Sequence, residues 1–158
     1  MSLYVADRLI HQARLLAAEY RREMGRPLPG IGGEIACHDA MRALGLRAKT
    51  EETGGYDVID PSRGHKRIQI KSRTIFDDAR GGQRIGQLRL DQDWDSVLLV
   101  LMDDNYESYE MHEAERADLV VVIGDVSVSR AKRGALSVAR FKNIGRLVWT
   151  REHGVEPE

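Results

Sequence analysis

Asp57, Gln69 and Lys71 are the residues whose types and spacing could do chemistry together. Arg67 to Ser72 alternates, so Ile68 and Ile70 point one way while Gln69 and Lys71 point the other. Asp57 lies twelve positions before Gln69, near the start of a short strand spanning Tyr56 to Asp60. Pro61-Ser62-Arg63-Gly64 between the two strands is a turn signal. Facing side chains of a paired hairpin approach to about 5 Å. A carboxylate, an amide oxygen and an ammonium group would then share one small volume, with the Ile70 peptide carbonyl between the last two.

Phosphodiester hydrolysis needs such a set. A hard divalent cation, Mg²⁺ or Mn²⁺, takes oxygen ligands and keeps several waters. Asp57 can supply the anionic ligand, with Gln69 Oε1 and the Ile70 carbonyl as neutral ones. The metal polarises the phosphate and helps ionise a bound water. Lys71 would sit beside that water and counter the charge that builds on the phosphate. Glu34, near the start of a helix, could reach the metal through water. The bland alternative is a surface hairpin on which Asp57, Gln69 and Lys71 are simply solvated.

Around this set, Arg73 could hold a phosphate and Ser72 could support Lys71, or both could be the polar end of a strand. Arg63, His65, Lys66 and Arg67 could track a nucleic-acid backbone, or form a solvated basic turn. Gly30-Ile31-Gly32-Gly33 lacks the Gly-Lys-Ser/Thr ending of a phosphate-binding loop and reads as helix-start geometry. His38 falls on a buried helix face and reads as a packed core residue. Cys37 shows no acid–base relay, and His11 and His112 lack partners at metal-ligand spacing. Trp94 and Trp149 read as packing residues, and Asp103 and Asp104 as turn residues.

The elements that must position the site follow from periodicity. Leu3 to Met24 predicts a helix with Val5, Leu9, Leu15 and Leu16 on its apolar stripe. Gly25-Arg26-Pro27-Leu28-Pro29-Gly30 breaks it. Gly32-Gly33-Glu34 opens a second helix that runs to Leu44 and stops at Gly45. Leu46 to Thr50 predicts a short strand. Thr74 to Asp91 reads as a polar loop carrying Arg80, Arg84 and Arg89. The apolar run Val97 to Leu101 predicts a strand buried on both faces, and Tyr106 to His112 its neighbour. Ala114 to Ile123 is ambiguous between helix and strand, and Leu136 to Trp149 predicts a helix. The order gives a mixed α/β domain with a short, partly antiparallel sheet flanked by helices.

Composition excludes several classes. A chain of 158 residues with 42% hydrophobic and 31% charged residues has an ordinary globular balance, so disorder and coiled coil are poor readings. The single cysteine, Cys37, forbids an internal disulfide and a zinc site built on several cysteines. No stretch approaches the roughly 20 apolar residues of a membrane span, and the N-terminus lacks signal-peptide features. The expectation is a cytoplasmic protein with no membrane partner and no nucleotide cofactor. The net charge of -1 hides a split: +5 over residues 1–89, -10 over 90–128 and +4 over 129–158. A basic face could thus meet a polyanion while the middle of the chain stays acidic.

Gly55-Tyr56-Asp57-Val58-Ile59-Asp60 followed by Ile68-Gln69-Ile70-Lys71 resembles the core motif of the PD-(D/E)xK, or restriction-endonuclease-like, nuclease superfamily. The Gln form of the triplet is similar to its Mrr-like branch. Glu34 stands where that family often carries a helical Glu, and Val97 to Leu101 fits its next core strand. Tyr56 replaces the motif's Pro, and Gln69 replaces the more frequent Glu or Asp, which lowers the negative charge around a metal. The resemblance implies a restriction-endonuclease-like core over residues 30–125, within one domain of residues 1–158. The N-terminal helix and connector would occupy 1–26 and a C-terminal helical segment 130–150. It implies a Mg²⁺-dependent endonuclease acting on DNA in bacterial restriction or repair, and a possible homodimer through the first helix. The alternatives are an inactive nucleic-acid-binding or assembly module on the same fold, and an interaction partner of a larger system.

Overall fold

The computed structural model describes residues 2–52, 54–76, 83–124 and 136–158. Among them are seven strands in one mixed sheet and four α-helices. The order is α1 (Leu3–Met24), α2 (Ile31–Leu44), β1 (Arg47–Ala48), β2 (Val58–Asp60), β3 (Lys66–Thr74), β4 (Ser96–Met102), β5 (Ser108–Glu115), α3 (Arg116–Gly124), α4 (Val138–Ile144), β6 (Arg146–Thr150) and β7 (Gly154–Val155). Strand order in the sheet follows the chain from β1 to β7. Every pairing is antiparallel except β3 with β4. No helix among the described residues is long and apolar enough to cross a membrane.

A parallel neighbour requires the chain to cross back over the sheet. Here the crossover after β3 carries Ile85, Leu88 and Trp94 into a core on one face, where they meet Val97, Leu99, Leu101, Leu119 and Phe141. The expected polar loop is therefore an anchored covering segment; its residues 77–82, including Arg80, lie outside the described ones. The opposite face packs Ile35, Ala36 and Ala40 of α2 and Ala17 and Ala18 of α1 onto Val58, Ile68, Leu98 and Val100. β4 is buried along its whole length, as its apolar run predicts.

Three expectations are corrected. Of the predicted apolar stripe of α1, Leu9, Leu15 and Leu16 are 45%, 57% and 55% exposed. The helix instead turns in Ile10, Arg14, Ala17 and Ala18. These fall on one helical stripe, and the alanines let α1 approach closely. Arg14 is buried there because Asp39 takes its guanidinium through two bonds of 3.0 and 2.9 Å. Second, the helix predicted over Leu136 to Trp149 ends at Ile144, and its second half is β6, because Leu147 and Trp149 pair with His112 and Met111 of β5. Third, Ala114 to Ile123 is both elements in turn: β5 runs to Glu115 and α3 begins at Arg116.

The α1 orientation has a direct test. Leu16→Gln should shift the urea midpoint by the equivalent of about 0.5 kcal/mol or less. Ala17→Leu should destabilise by about 1–3 kcal/mol through overpacking. The reverse order would restore the leucine stripe as the buried face.

Candidate functional site

β2 and β3 form the predicted antiparallel hairpin, with Val58 opposite Ile68, Ile59 opposite Arg67 and Asp60 opposite Lys66. Asp57 lies just beyond the Val58–Ile68 pair. The Asp57 amide donates to the Ile68 carbonyl at 2.9 Å. Its carboxylate Oδ2 accepts the Ile70 amide at 2.7 Å. The acid thus lies against the peptide between Gln69 and Lys71, exposed on its outer side. In an extended strand the amide and carbonyl of one residue leave on the same edge, so the Ile70 carbonyl emerges beside Asp57.

The alternation of β3 is as predicted. Ile68 and Ile70 pack into the helical core. Lys71, on the other face, lies under the crossover, its Nζ donating to the Gln87 carbonyl at 3.4 Å. A Cβ placed on Gly86 would come 3.3 Å from the same Nζ, so the absence of a side chain there makes room for the amine. Gln69 Oε1 is buried and has no hydrogen-bond partner among the described residues, an arrangement that costs free energy unless a donor or a cation reaches it. Burial lowers the Lys71 pKa; the Asp57 carboxylate offsets part of this, and Arg73 and Arg89 lower it further. Asp57 and Lys71 are therefore within electrostatic reach of each other.

Glu34 joins from the other side. It stands in the first turn of α2, one turn before Cys37. Burial, then the carboxylates of Asp57 and Glu34, push the Cys37 thiol up to about 11. The fields of Glu34 and Asp57 overlap at this thiol, which stays protonated at neutral pH and is not a nucleophile. Gln69, Ile70 and Lys71 are consecutive on β3 beside Asp57, and Glu34 is related to them through the field it shares with Asp57 at Cys37. Among the described residues no three His, Cys, Asp or Glu side chains gather as metal ligands. The Asp57 carboxylate, the Gln69 amide oxygen and the Ile70 carbonyl are oxygen donors of the kind a hard cation takes.

The basic turn is arranged differently from the backbone-tracking reading. Arg63 pairs with Asp60 at 2.6 Å and Glu113 at 2.9 Å. Lys66 pairs with Glu115, and Arg67 with Asp95 at 3.2 Å. Burial disfavours the charged Arg63, but its hydrogen bonds to Glu113 and Asp60 outweigh that and raise its pKa. Arg73 donates to the carbonyls of Arg84 and, at 2.7 Å, of Ser72, and burial lowers its pKa. Ser72 faces the start of α2 near Gly32. Glu113, Asp95 and Gln87 were not singled out from sequence; the acidic excess of residues 90–128 was the available signal for the first two.

The remaining residues resolve simply. His38 is largely buried and its Nε2 bonds Asp7 at 2.9 Å. His112 is buried against Glu110 at 2.8 Å. Trp94 is a core residue whose Nε1 donates to the Arg89 carbonyl at 2.8 Å. Asp103 Oδ1 accepts the Asn105 and Glu107 amides at 2.9 and 3.1 Å, as a turn residue does. No family model matches the chain, and no curated protein matches it either.

Two outcomes check this geometry. Cys37 should react with iodoacetamide at pH 8 at least about tenfold more slowly than a free cysteine, and Asp57→Asn should speed the reaction; an unchanged rate would separate the two groups. Lys71→Met should be more stable than the wild type at pH 7. The folded pKa of Lys71 lies below its unfolded value near 10.4, so the unfolded chain binds more protons between the two and wild-type stability rises with pH there. The variant's advantage should therefore shrink as pH rises from 7 to above 10, read by urea denaturation.

Proposed function

We propose that the protein is a divalent-metal-dependent nuclease whose catalytic face is built on the open end of the β2–β3 hairpin. The observation that carries this reading is the buried Gln69 Oε1, unpartnered among the described residues, on the same face of β3 as Lys71 and next to the Ile70 peptide that Asp57 holds. Buried acceptors are almost always satisfied, and a hard cation would satisfy this one. The resemblance of Asp57…Gln69-Ile70-Lys71 to the PD-(D/E)xK motif supports the same conclusion, with DNA as the substrate and restriction or repair as the setting. A restriction-endonuclease-like core fits the mixed sheet, in which β2 and β3 are antiparallel and β4 is parallel to β3.

In this mechanism Asp57, Gln69 Oε1 and the Ile70 carbonyl would hold Mg²⁺ or Mn²⁺, and Glu34 would add negative charge from α2. When bound, the cation would polarise the phosphate and lower the pKa of an attacking water. Lys71 orients that water and counters the charge developing on the phosphate. Burial of its ammonium strengthens both effects, because a low local dielectric strengthens electrostatic interactions. Gln69 in place of an acid would leave a cation with one fewer negative ligand, which would weaken metal binding.

A second reading has its own support. The Lys71 amine already donates to Gln87, and Gly86 closes over it. A site held shut in this way suits a nucleic-acid-binding or assembly module without catalysis. Plasmid cleavage with Mg²⁺ separates the two. The wild type should cut, while Lys71→Ala and Asp57→Ala should lose about 10²-fold or more in rate. Equal cleavage by all three removes the enzyme, and absence of both cleavage and Mn²⁺ binding leaves the non-catalytic module.

A further inference from the structure

A cavity of about 410 Å³ lies beside the catalytic face, between the start of α2 and the last residues of β3. Its walls are divided by chemistry. Leu28, Pro29 and Phe76 are apolar, while Ser72, Arg73 and Thr74 are polar. Among the described lining residues Arg73 is the charged one and none is acidic. Phe76 meets Tyr106 edge-on at 6.1 Å and 67°, and the Arg21 guanidinium lies 4.4 Å over its ring. The volume falls in the range of small-molecule sites. An apolar wall with an aromatic ring, next to an arginine and hydroxyls, has the chemistry for a base and its phosphate together.

The cavity and the proposed site share strand β3, which runs from Lys66 to Thr74. Strand rise sets Ser72 about 6.6 Å beyond Ile70, within reach of one nucleotide of an extended chain. Beyond Ile68 that edge of β3 is not paired with β2. On the Lys71 face the crossover covers the amine through Gln87 and Gly86, which leaves the open edge as the route of approach. A base can enter the cavity only when it is out of its stack. We propose that the cavity holds one unstacked nucleotide of a single-stranded nucleic acid, with the next phosphodiester at Asp57 and Lys71. This rests on the nuclease reading for what happens to the neighbouring phosphate, and on the cavity alone for binding.

Binding can be read without turnover, by fluorescence anisotropy of the full chain in EDTA. The probes are a labelled ten-nucleotide oligothymidylate and the blunt duplex of the same length. The single strand should bind at least tenfold more tightly than the duplex. Arg73→Gln and Gly33→Leu should each weaken single-strand binding at least tenfold. Gly33 lines the cavity, and a Cβ there meets nothing within 4 Å, so leucine adds bulk at the cavity wall without a clash and keeps the test independent of the contacts Arg73 makes to Arg84 and Ser72. A duplex bound as tightly as the single strand, or a Gly33→Leu variant with wild-type affinity, overturns the proposal. A wild type that shows the expected binding pattern yet cuts neither plasmid nor the oligothymidylate with Mg²⁺ upholds the cavity and removes the nuclease. One that cuts while Gly33→Leu binds normally does the opposite.

Discussion

β2 pairs with β3 over three residues, and β3 runs on to Thr74. A strand edge that outlasts its neighbour presents amides and carbonyls that need partners. At the first position beyond β2 the chain meets this need with a side chain: the Asp57 carboxylate takes the Ile70 amide. That bond fixes the acid beside the Ile70 peptide. The outer ends of the sheet are handled differently, since β1 and β7 are each only two residues long. The open upper edge of β3 is thus the interruption in the sheet around which the chemistry-bearing residues gather.

The charges of the chain are organised by the same hairpin. Sequence separates a basic first part from an acidic middle, which suggests two opposed faces. The fold brings them together instead. Arg63, Lys66 and Arg67 leave the turn toward Asp60, Asp95, Glu113 and Glu115. Glu113 is nearly buried, so its pairing with Arg63 serves the sheet: a buried carboxylate without a cation would be costly. The turn that looked suited to a polyanion is consumed in tying β2 and β3 to β5. Arg73 is held by peptide carbonyls, and among the described residues no carboxylate pairs with it at the cavity.

Lys71 and Gln69 carry costs that a purely structural hairpin would avoid. A half-buried ammonium with a lowered pKa and a buried amide oxygen without a partner both weigh against folding. Both lie on one face of β3, two residues apart, and both face the crossover rather than open solvent. Stability spent at one place in this way is the usual mark of a functional site.

The sequence by itself determined the hairpin, the alternation that sets Gln69 and Lys71 against Ile68 and Ile70, the buried β4 and the extents of α1 and α2. These rest on local rules, since side-chain period and turn chemistry act over a few residues. Tertiary structure decided which face of α1 is buried: the choice fell on Ile10, Ala17, Ala18 and a paired Arg14 because small residues allow close packing and Asp39 was there to hold the charge. It also decided that Leu147 to Trp149 form a strand, since β5 offered an edge, and that Ile85 and Leu88 anchor a crossover. Gln87 over Lys71 and the cavity beside Ser72 and Arg73 have the same origin. They depend on segments far apart in the chain, and no local pattern encodes which distant surface will be available to meet.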